Sequence, residues 1–165
     1  MTFPRSRTKR RLAVVSIALG GLLYAFAFQQ ARAASPPCRY TVTNGGTASG
    51  TVYDVVTGLT WQQSLSAGTY SWYEAQEYCS TLSYAGFSSG WRVPTMKELV
   101  SIVDYTQSNP SIDSNFFPNT PATVFWTSTG YQGDSGSGLA WYVYFLNSYV
   151  NSVSINVSNN VRCVR

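Results

Sequence analysis

The ten residues Gly90–Leu99 constrain the fold more strongly than any other segment of this chain. Pro94 cannot donate a hydrogen bond to a β-ladder, and it biases Val93 towards an extended conformation, so a strand must end at this point. Thr95 and Glu98 have the T-x-x-E spacing of a capping box, which satisfies the first backbone amides of a helix. The segment therefore predicts a strand that turns directly into a helix. The residues of this structural motif are Trp91, Arg92, Pro94, Thr95 and Glu98.

The first half of the chain predicts short strands followed by a helix. Arg39–Val42 has the composition of a first strand, and Thr51–Asp54 and Leu59–Gln62 read as two more. Val55–Gly58 lies between the last two and has the pattern of a hairpin turn closed by glycine. Ser71–Leu82 has apolar residues at helical spacing and opens with S-W-Y-E, a second capping box.

The second half predicts a short helix followed by sheet, which gives an α+β fold for the whole domain. The helix that begins after Thr95 should end near Asp104. The last two predicted strands should form a closing hairpin across the turn at residues 158–160. Strands are predicted over Val124–Thr129, Leu139–Leu146, Val150–Val157 and Val161–Arg165.

Residues 1–33 have the layout of a secretory signal peptide. A basic stretch precedes 17 uncharged, mostly apolar residues at positions 12–28, and Ala31-Arg32-Ala33 offers a cleavage site. The alternative is an uncleaved membrane anchor, because this apolar stretch is only slightly shorter than the roughly 20 residues that span a bilayer. We expect a secreted, periplasmic or cell-surface protein whose residues 34–165 form one recognition domain, with membrane contact only through an uncleaved leader.

The charge of the chain is concentrated in this leader. Six of the 11 basic residues lie within positions 1–33, and all seven acidic residues lie beyond them. The remaining five basic and seven acidic residues give residues 34–165 a net charge of −2. A protein that binds nucleic acid through a basic surface is therefore not expected.

The chain has three cysteines. In an exported protein two of them are expected to form a disulfide, which leaves the third as an unpaired thiol. We predict a disulfide between Cys79 and Cys163, which closes a loop of 84 residues. Such a bridge contributes roughly 4 to 5 kcal/mol on the chain-entropy model. A bridge between Cys38 and Cys163 is the main alternative, and Cys38 would otherwise be unpaired or linked to another chain.

Short motifs follow one another in a characteristic order from residue 52 to the C-terminus. They are Val52–Asp54, Thr57–Gln62, Ala75 with Cys79 and Leu82, Gly90–Thr95 with Lys97–Leu99, Val103–Asp104, Pro110, Ile112–Asp113, Phe117–Pro118, Phe125–Thr129, Ala140–Trp141 with Val143 and Phe145, and Val161–Arg165. In this combination the chain resembles the family typified by the C-terminal domain of the Legionella collagen-like adhesin. The resemblance implies an exported, non-catalytic binding domain with a C-type-lectin-like fold, in which two helices pack on an antiparallel sheet beside an N-terminal hairpin. The best-known member of that family binds sulfated polysaccharides and assembles as a trimer, so a homo-oligomer is one expectation here.

The amino-acid composition excludes some kinds of catalytic site and leaves others possible. The chain has no histidine, which excludes Ser-His-Asp and Cys-His nucleophilic schemes. A pair of carboxylates could still hydrolyse a glycoside, and Asn109-Pro110 followed by Asp113 suggests either a calcium loop or a turn stabilised by the aspartate. We expect no cofactor and no metal. The carboxylates considered for hydrolysis are Glu74, Glu77, Glu98, Asp104, Asp113 and Asp134.

Tyrosines with neighbouring amides are the best candidates for binding. Alternation along residues 139–145 places Trp141, Val143 and Phe145 on one face, which we assign to the core, with Tyr142 and Tyr144 on the other. Rigid rings lose little entropy when they dock on a sugar or a protein, although ordinary surface tyrosines would follow the same pattern. The candidate ligand-binding residues are Tyr131, Tyr142, Tyr144, Tyr149, Asn147 and Asn151.

These observations favour a non-catalytic recognition or adhesion domain that binds a glycan or a protein at the bacterial cell surface. One alternative is a structural subunit of a surface assembly, held together through Cys38 or a sheet edge. Another is an exported glycoside hydrolase that uses two carboxylates.

Overall fold

The computed structural model describes residues 36–43, 49–133 and 138–165 of the 165-residue chain. These residues form an α+β domain with two antiparallel three-stranded sheets and two helices. The predicted signal peptide at residues 1–33 and the candidate carboxylate Asp134 lie outside the described residues. Within the described ranges, no helix has the length and apolar character needed to cross a membrane.

The first sheet is an antiparallel meander of β1 (Tyr40–Thr43), β2 (Thr51–Asp54) and β3 (Leu59–Gln62). The predicted bounds of β2 and β3 are confirmed, while β1 begins one residue later than predicted. The turn between β2 and β3 reverses at Gly58, whose φ of 71° is a conformation that glycine adopts without strain. The predicted N-terminal hairpin is thus part of a three-stranded sheet.

The two helices begin where the capping boxes predict. In α1 (Trp72–Thr81) the cap is Ser71, and in α2 (Met96–Ser101) it is Thr95. In each case the cap side chain accepts a hydrogen bond from the third helical residue, a glutamate whose carboxylate accepts one from the cap amide in return. Both boxes are confirmed, and they fix the direction in which each helix leaves the preceding segment.

The second helix ends earlier than predicted. The amide of Ile102 donates to the carbonyls of Leu99 and Val100, which tightens the last turn. The amide of Asp104 donates to the carbonyl of Ser111 instead of continuing the helix. The prediction that α2 reaches Asp104 is therefore wrong, because a contact with a later loop competes with the helical hydrogen bond.

The second sheet is formed by β4 (Val124–Gly130), β5 (Leu139–Tyr144) and β6 (Tyr149–Ser154), in that order. The predicted closing hairpin between the last two segments is wrong, because β6 pairs with β5 instead. Residues 161–165 extend to the first sheet, where the amide of Thr60 donates to the carbonyl of Arg165 at 2.9 Å and the amide of Gln62 to that of Cys163 at 3.0 Å.

The second sheet is covered on both faces. Phe125, Val143 and Phe145 pack in one hydrophobic cluster with Leu99 of α2. Because neighbouring residues of a strand point to opposite faces, the next residues along β4 and β5 point away from that cluster, and they join a second cluster with residues of α1. That cluster contains Trp126, Ala140, Ala75 and Cys79.

Trp141 departs from its predicted place in the core. It is only half-buried, and its ring contacts that of Tyr131 with the ring centres 5.5 Å apart. Trp141 lies towards the far end of β5 from Phe145, beyond the part of this face that the first cluster covers. Alternation predicted the correct face, but not how far the cluster extends along the strand.

A disulfide joins α1 to the C-terminal segment. The sulfurs of Cys79 and Cys163 are 2.01 Å apart and the Cα atoms 5.6 Å apart, which confirms the predicted pair. Cys38 is exposed and takes no part in a disulfide, so the alternative pairing with Cys163 is wrong. The bridge fixes the last strand-like segment of the chain against the second hydrophobic cluster.

Candidate functional site

The motif at the start of α2 has a structural role. Arg92 and Glu98 form a two-pronged ion pair in which both N–O distances are 2.7 Å. The same carboxylate accepts a hydrogen bond from the amide of Thr95 at 2.8 Å. Arg92 lowers the pKa of Glu98 to about 2, although partial burial acts in the opposite direction. Trp91 and Pro94 are buried beneath this corner.

Two of the carboxylates considered for hydrolysis stabilise turns. Asp104 accepts hydrogen bonds from the amide and the hydroxyl of Thr106 at 2.8 and 2.6 Å. Asp113 accepts from the amide and the side-chain nitrogen of Asn115, each at 3.0 Å. Asp113 thus makes the contacts of a turn stabilised by the aspartate, which is one of the two alternatives predicted for this segment. Among the described residues, no group of three or more Cys, Asp or Glu side chains is gathered as a metal site requires.

Glu74 and Glu77 line a shallow recess of about 340 Å³ on one side of α1. Glu74 belongs to the capping box, and hydrogen bonds from Ser71 lower its pKa. A general acid for glycoside hydrolysis requires a raised pKa, so the lowered pKa of Glu74 does not suit that role. The recess is completed by Tyr70, Tyr78 and Thr81.

Four of the six predicted binding residues lie together on one face of the second sheet, which we name the tyrosine face: Tyr142, Tyr144, Tyr149 and Asn151. Tyr142 lies opposite Asn151 across the β5–β6 pair, and Tyr144 lies opposite Tyr149. The side-chain nitrogen of Asn151 donates to the hydroxyl of Tyr149 at 3.3 Å. The register of one hairpin therefore brings these four side chains together.

The tyrosine face is open at the hairpin end and closed towards α1. Tyr149 is 53% exposed, and Asn151 is also exposed. Tyr142 is half-buried and packs against the second hydrophobic cluster. Tyr144 is half-buried between these extremes. The accessible part of the face is therefore formed by Tyr144, Tyr149 and Asn151.

The other two predicted residues lie apart from this face. Tyr131 packs on Trp141, on the opposite side of the sheet from Tyr142. Asn147 lies in the turn between β5 and β6, where its side-chain oxygen accepts a hydrogen bond from the amide of Tyr149 at 3.3 Å. Neither residue contributes to one continuous surface with Tyr144.

Two recesses share Asn160, and the second of them borders the tyrosine face at Tyr144. The first has a volume of about 380 Å³, and the second a volume of about 390 Å³. The first is lined by Ser64, Leu65, Ser66, Asn119, Pro121 and Asn160. The second is lined by Thr69, Thr123, Val124, Tyr144, Ser158, Asn159 and Asn160.

Backbone pairing holds the shared wall of the two recesses in place. The carbonyl of Asn160 accepts from the amide of Trp126 at 2.9 Å, and its side-chain nitrogen donates to the hydroxyl of Thr123 at 2.7 Å. Asn159 exchanges two backbone hydrogen bonds with Tyr70, both of 2.9 Å. Residues 159 and 160 are thereby fixed to β4 on one side and to the segment before α1 on the other.

A family comparison bears on this part of the chain. Residues 50–165 match the family model of the Lcl C-terminal domain. The chain belongs to the Lcl C-terminal domain family. No curated protein matches it. In this Lcl C-terminal domain the matched residues include the tyrosine face and both recesses, and membership of the family suggests a surface-associated domain.

Arg162 of the Lcl C-terminal domain lies in the interior and hydrogen-bonds to the segments that form the first recess. It is fully buried, and one guanidinium nitrogen donates to the carbonyls of Gln62 and Gln63, both at 2.6 Å. The other terminal nitrogen donates to the hydroxyl of Thr120 at 2.7 Å. Burial lowers the pKa of Arg162 to about 9. The guanidinium thus ties together the two chain segments that continue into the walls of the recess.

Sequence reasoning missed both recesses. The run Ser158-Asn159-Asn160 has the composition of a turn and predicts one, but in the Lcl C-terminal domain Asn159 and Asn160 pair with two distant segments. The only available signal was the excess of uncharged polar residues around Ser64 and Asn119. Such residues are common in loops, so they did not indicate a site.

Proposed function

We propose that this Lcl C-terminal domain is an exported, non-catalytic recognition domain that binds a glycan or a surface protein at the bacterial cell surface. The observation that carries the proposal is the open end of the tyrosine face, where Tyr144, Tyr149 and Asn151 lie together. Aromatic rings with an adjacent amide offer an apolar contact surface and directional hydrogen bonds at low entropic cost. The C-type-lectin-like character of the fold is part of the proposal and rests on the resemblance described above.

Two features support the absence of catalysis. The sequence contains no histidine. Five carboxylates already accept hydrogen bonds that hold a turn, a cap or an ion pair, which leaves them poorly suited to act on a substrate. These are Asp54, Glu74, Glu98, Asp104 and Asp113.

The test is binding of purified protein to a glycan array and to immobilised bacterial surface extract. Tyr144→Ala/Tyr149→Ala should weaken binding by about tenfold or more, as expected when two aromatic contacts are lost. Tyr142 is left intact because its ring packs against the core. Tyr73→Ala/Tyr105→Ala is the matched control, because these tyrosines are 64% and 46% exposed and lie outside the tyrosine face. Equal binding by both double variants would contradict the proposal.

A structural subunit of a surface assembly is the second candidate, and the exposed, unbridged Cys38 favours it. A disulfide through this thiol would give a covalent dimer on a non-reducing gel, and Cys38→Ser would abolish it. Light scattering that shows only monomer for the wild-type protein, with no dimer on the gel, would remove this candidate.

A further inference from the structure

We propose that the two recesses that meet at Asn160 form one binding site for an uncharged pyranoside chain. This inference rests on the proposed recognition function, and it adds the location of the site and the class of ligand. The two recesses, of about 380 and 390 Å³, are within the size range of small-ligand sites. Because they share Asn160, consecutive sugar units could occupy them side by side.

The chemistry of the lining matches a sugar. Hydroxyls of Ser64, Thr69 and Ser158 can each donate and accept hydrogen bonds, as sugar hydroxyls do. The Ser66 hydroxyl donates to the carbonyl of Gly68 and can still accept. The ring of Tyr144 supplies an apolar wall in the second recess on which the C–H face of a pyranose can pack. The lining thus combines an aromatic surface with many short, uncharged polar groups.

The orientation of Asn160 is set before any ligand arrives. Its side-chain nitrogen is committed to the hydroxyl of Thr123, so its side-chain oxygen is left to accept a hydrogen bond from a ligand hydroxyl. Its backbone is fixed by the hydrogen bond from Trp126. A group held in this way loses little further freedom on binding, which favours affinity.

The charges around the site favour an uncharged ligand. Neither recess has a charged side chain in its lining. Arg162 lies behind the first recess, but it is fully buried and its terminal nitrogens already donate to Gln62, Gln63 and Thr120. A sulfate or carboxylate placed in either recess would lose its hydration without gaining a direct ionic partner.

The probe is a printed array of uncharged hexose and N-acetylhexosamine oligosaccharides beside sulfated and uronic-acid oligosaccharides of equal length. Wild-type protein should bind at least one uncharged class. Ser158→Trp should weaken that binding by about tenfold or more, because a bulky ring at this exposed position fills the second recess. Asn160→Ala should weaken it by a similar factor, since it removes the shared hydrogen-bonding group.

Ser108→Trp is the matched control, because Ser108 is also exposed and lines neither recess. Thermal unfolding of each variant separates loss of the site from loss of the fold. Binding restricted to sulfated or uronic-acid probes, or to none of the probes, would overturn the inference. It would also fail if Tyr149→Ala abolished binding while Ser158→Trp left it unchanged, and in that case the proposed recognition function would still stand.

Discussion

The C-terminal segment at residues 161–165 and the tip of the β5–β6 hairpin are held in different ways. The C-terminal segment is fixed by contacts with distant residues: the Cys79–Cys163 disulfide, the hydrogen bonds of Arg162 and the pairing of Val164 with Arg92. The hairpin tip is fixed mainly through its backbone: by its own turn, by the pairing of Tyr144 with Tyr149, and by the amides of Asn109 and Ser111, which donate to carbonyls of the turn. One region is therefore held largely through its side chains, whereas the other is held through its backbone.

This difference implies that stability and recognition can be changed separately. Substitutions in the C-terminal segment should lower the free energy of unfolding substantially, and substitutions at the hairpin tip should change binding with little effect on the fold.

Removing the disulfide should have the largest effect. Cys79→Ser/Cys163→Ser should lower the free energy of unfolding by about 4 kcal/mol, because the bridge closes a long loop in the unfolded chain. Denaturant unfolding followed by tryptophan fluorescence measures the change. Cys38→Ser is the control and should leave stability unchanged. A double variant as stable as this control would contradict the view that the C-terminal segment holds the fold together.

Replacing the buried arginine should have the next largest effect. Arg162→Met should cost about 3 kcal/mol, because the carbonyls of Gln62 and Gln63 would lose a charged donor in the interior. Arg92→Met is the matched control, and it should cost only about 1 kcal/mol because the Arg92 side chain is 47% exposed. If both variants lost the same free energy of unfolding, burial of Arg162 would not increase its contribution to stability.

Glu98→Gln should cost about 1 kcal/mol at neutral pH through loss of the ion pair with Arg92, because a glutamine oxygen can still accept the hydrogen bond from the Thr95 amide. The pKa of Glu98 is lowered from 4.5 to about 2 in the folded protein, so ionised Glu98 stabilises the fold above pH 4.5. This contribution is lost as the pH falls towards 2. Unfolding curves at several pH values should show the two proteins converging over this interval. If the difference in free energy of unfolding between the two proteins stayed constant from pH 4.5 to pH 2, ionised Glu98 would not be the stabilising group.

The hairpin tip should show the smallest effect on stability. Tyr149→Ala should change the free energy of unfolding by less than about 0.5 kcal/mol, because the side chain is largely exposed and makes few contacts. Val143→Ala on the same hairpin is the comparison, and it should cost about 2 kcal/mol because Val143 is fully buried. If Tyr149→Ala were the more damaging variant, the tyrosine face would be part of the core.

The sequence predicted best the features that depend on neighbouring residues. Capping pairs such as Thr95 with Glu98 act within one turn of a helix, and the turn at Gly58 depends on a single backbone conformation. Alternation also placed Tyr142 and Tyr144 on the same face of β5, but the pairing with β6 that sets Tyr144 opposite Tyr149 was not predicted. Local signals of this kind were enough to assign the α+β class and part of the candidate site.

Features that depend on distant contacts could not be predicted. Nothing near Asn160 indicates that its backbone pairs with β4, and nothing near Arg162 indicates that its partner carbonyls lie about 100 residues earlier in the chain. The recesses exist only because these segments meet, so their lining could not be assembled from local patterns. The same reason explains the wrong closing hairpin and the early end of α2.

The family match begins at Gly50, yet β1 lies before it, and so does Arg39, the cation that pairs with buried Asp54. Although burial alone would raise the pKa of Asp54, hydrogen bonds from Arg39 and its neighbours lower it, so the carboxylate is charged and needs that cation. A fragment trimmed to residues 50–165 would keep the anion and lose its counterion. We therefore expect a fragment that starts upstream of Arg39 to be more stable than residues 50–165 alone.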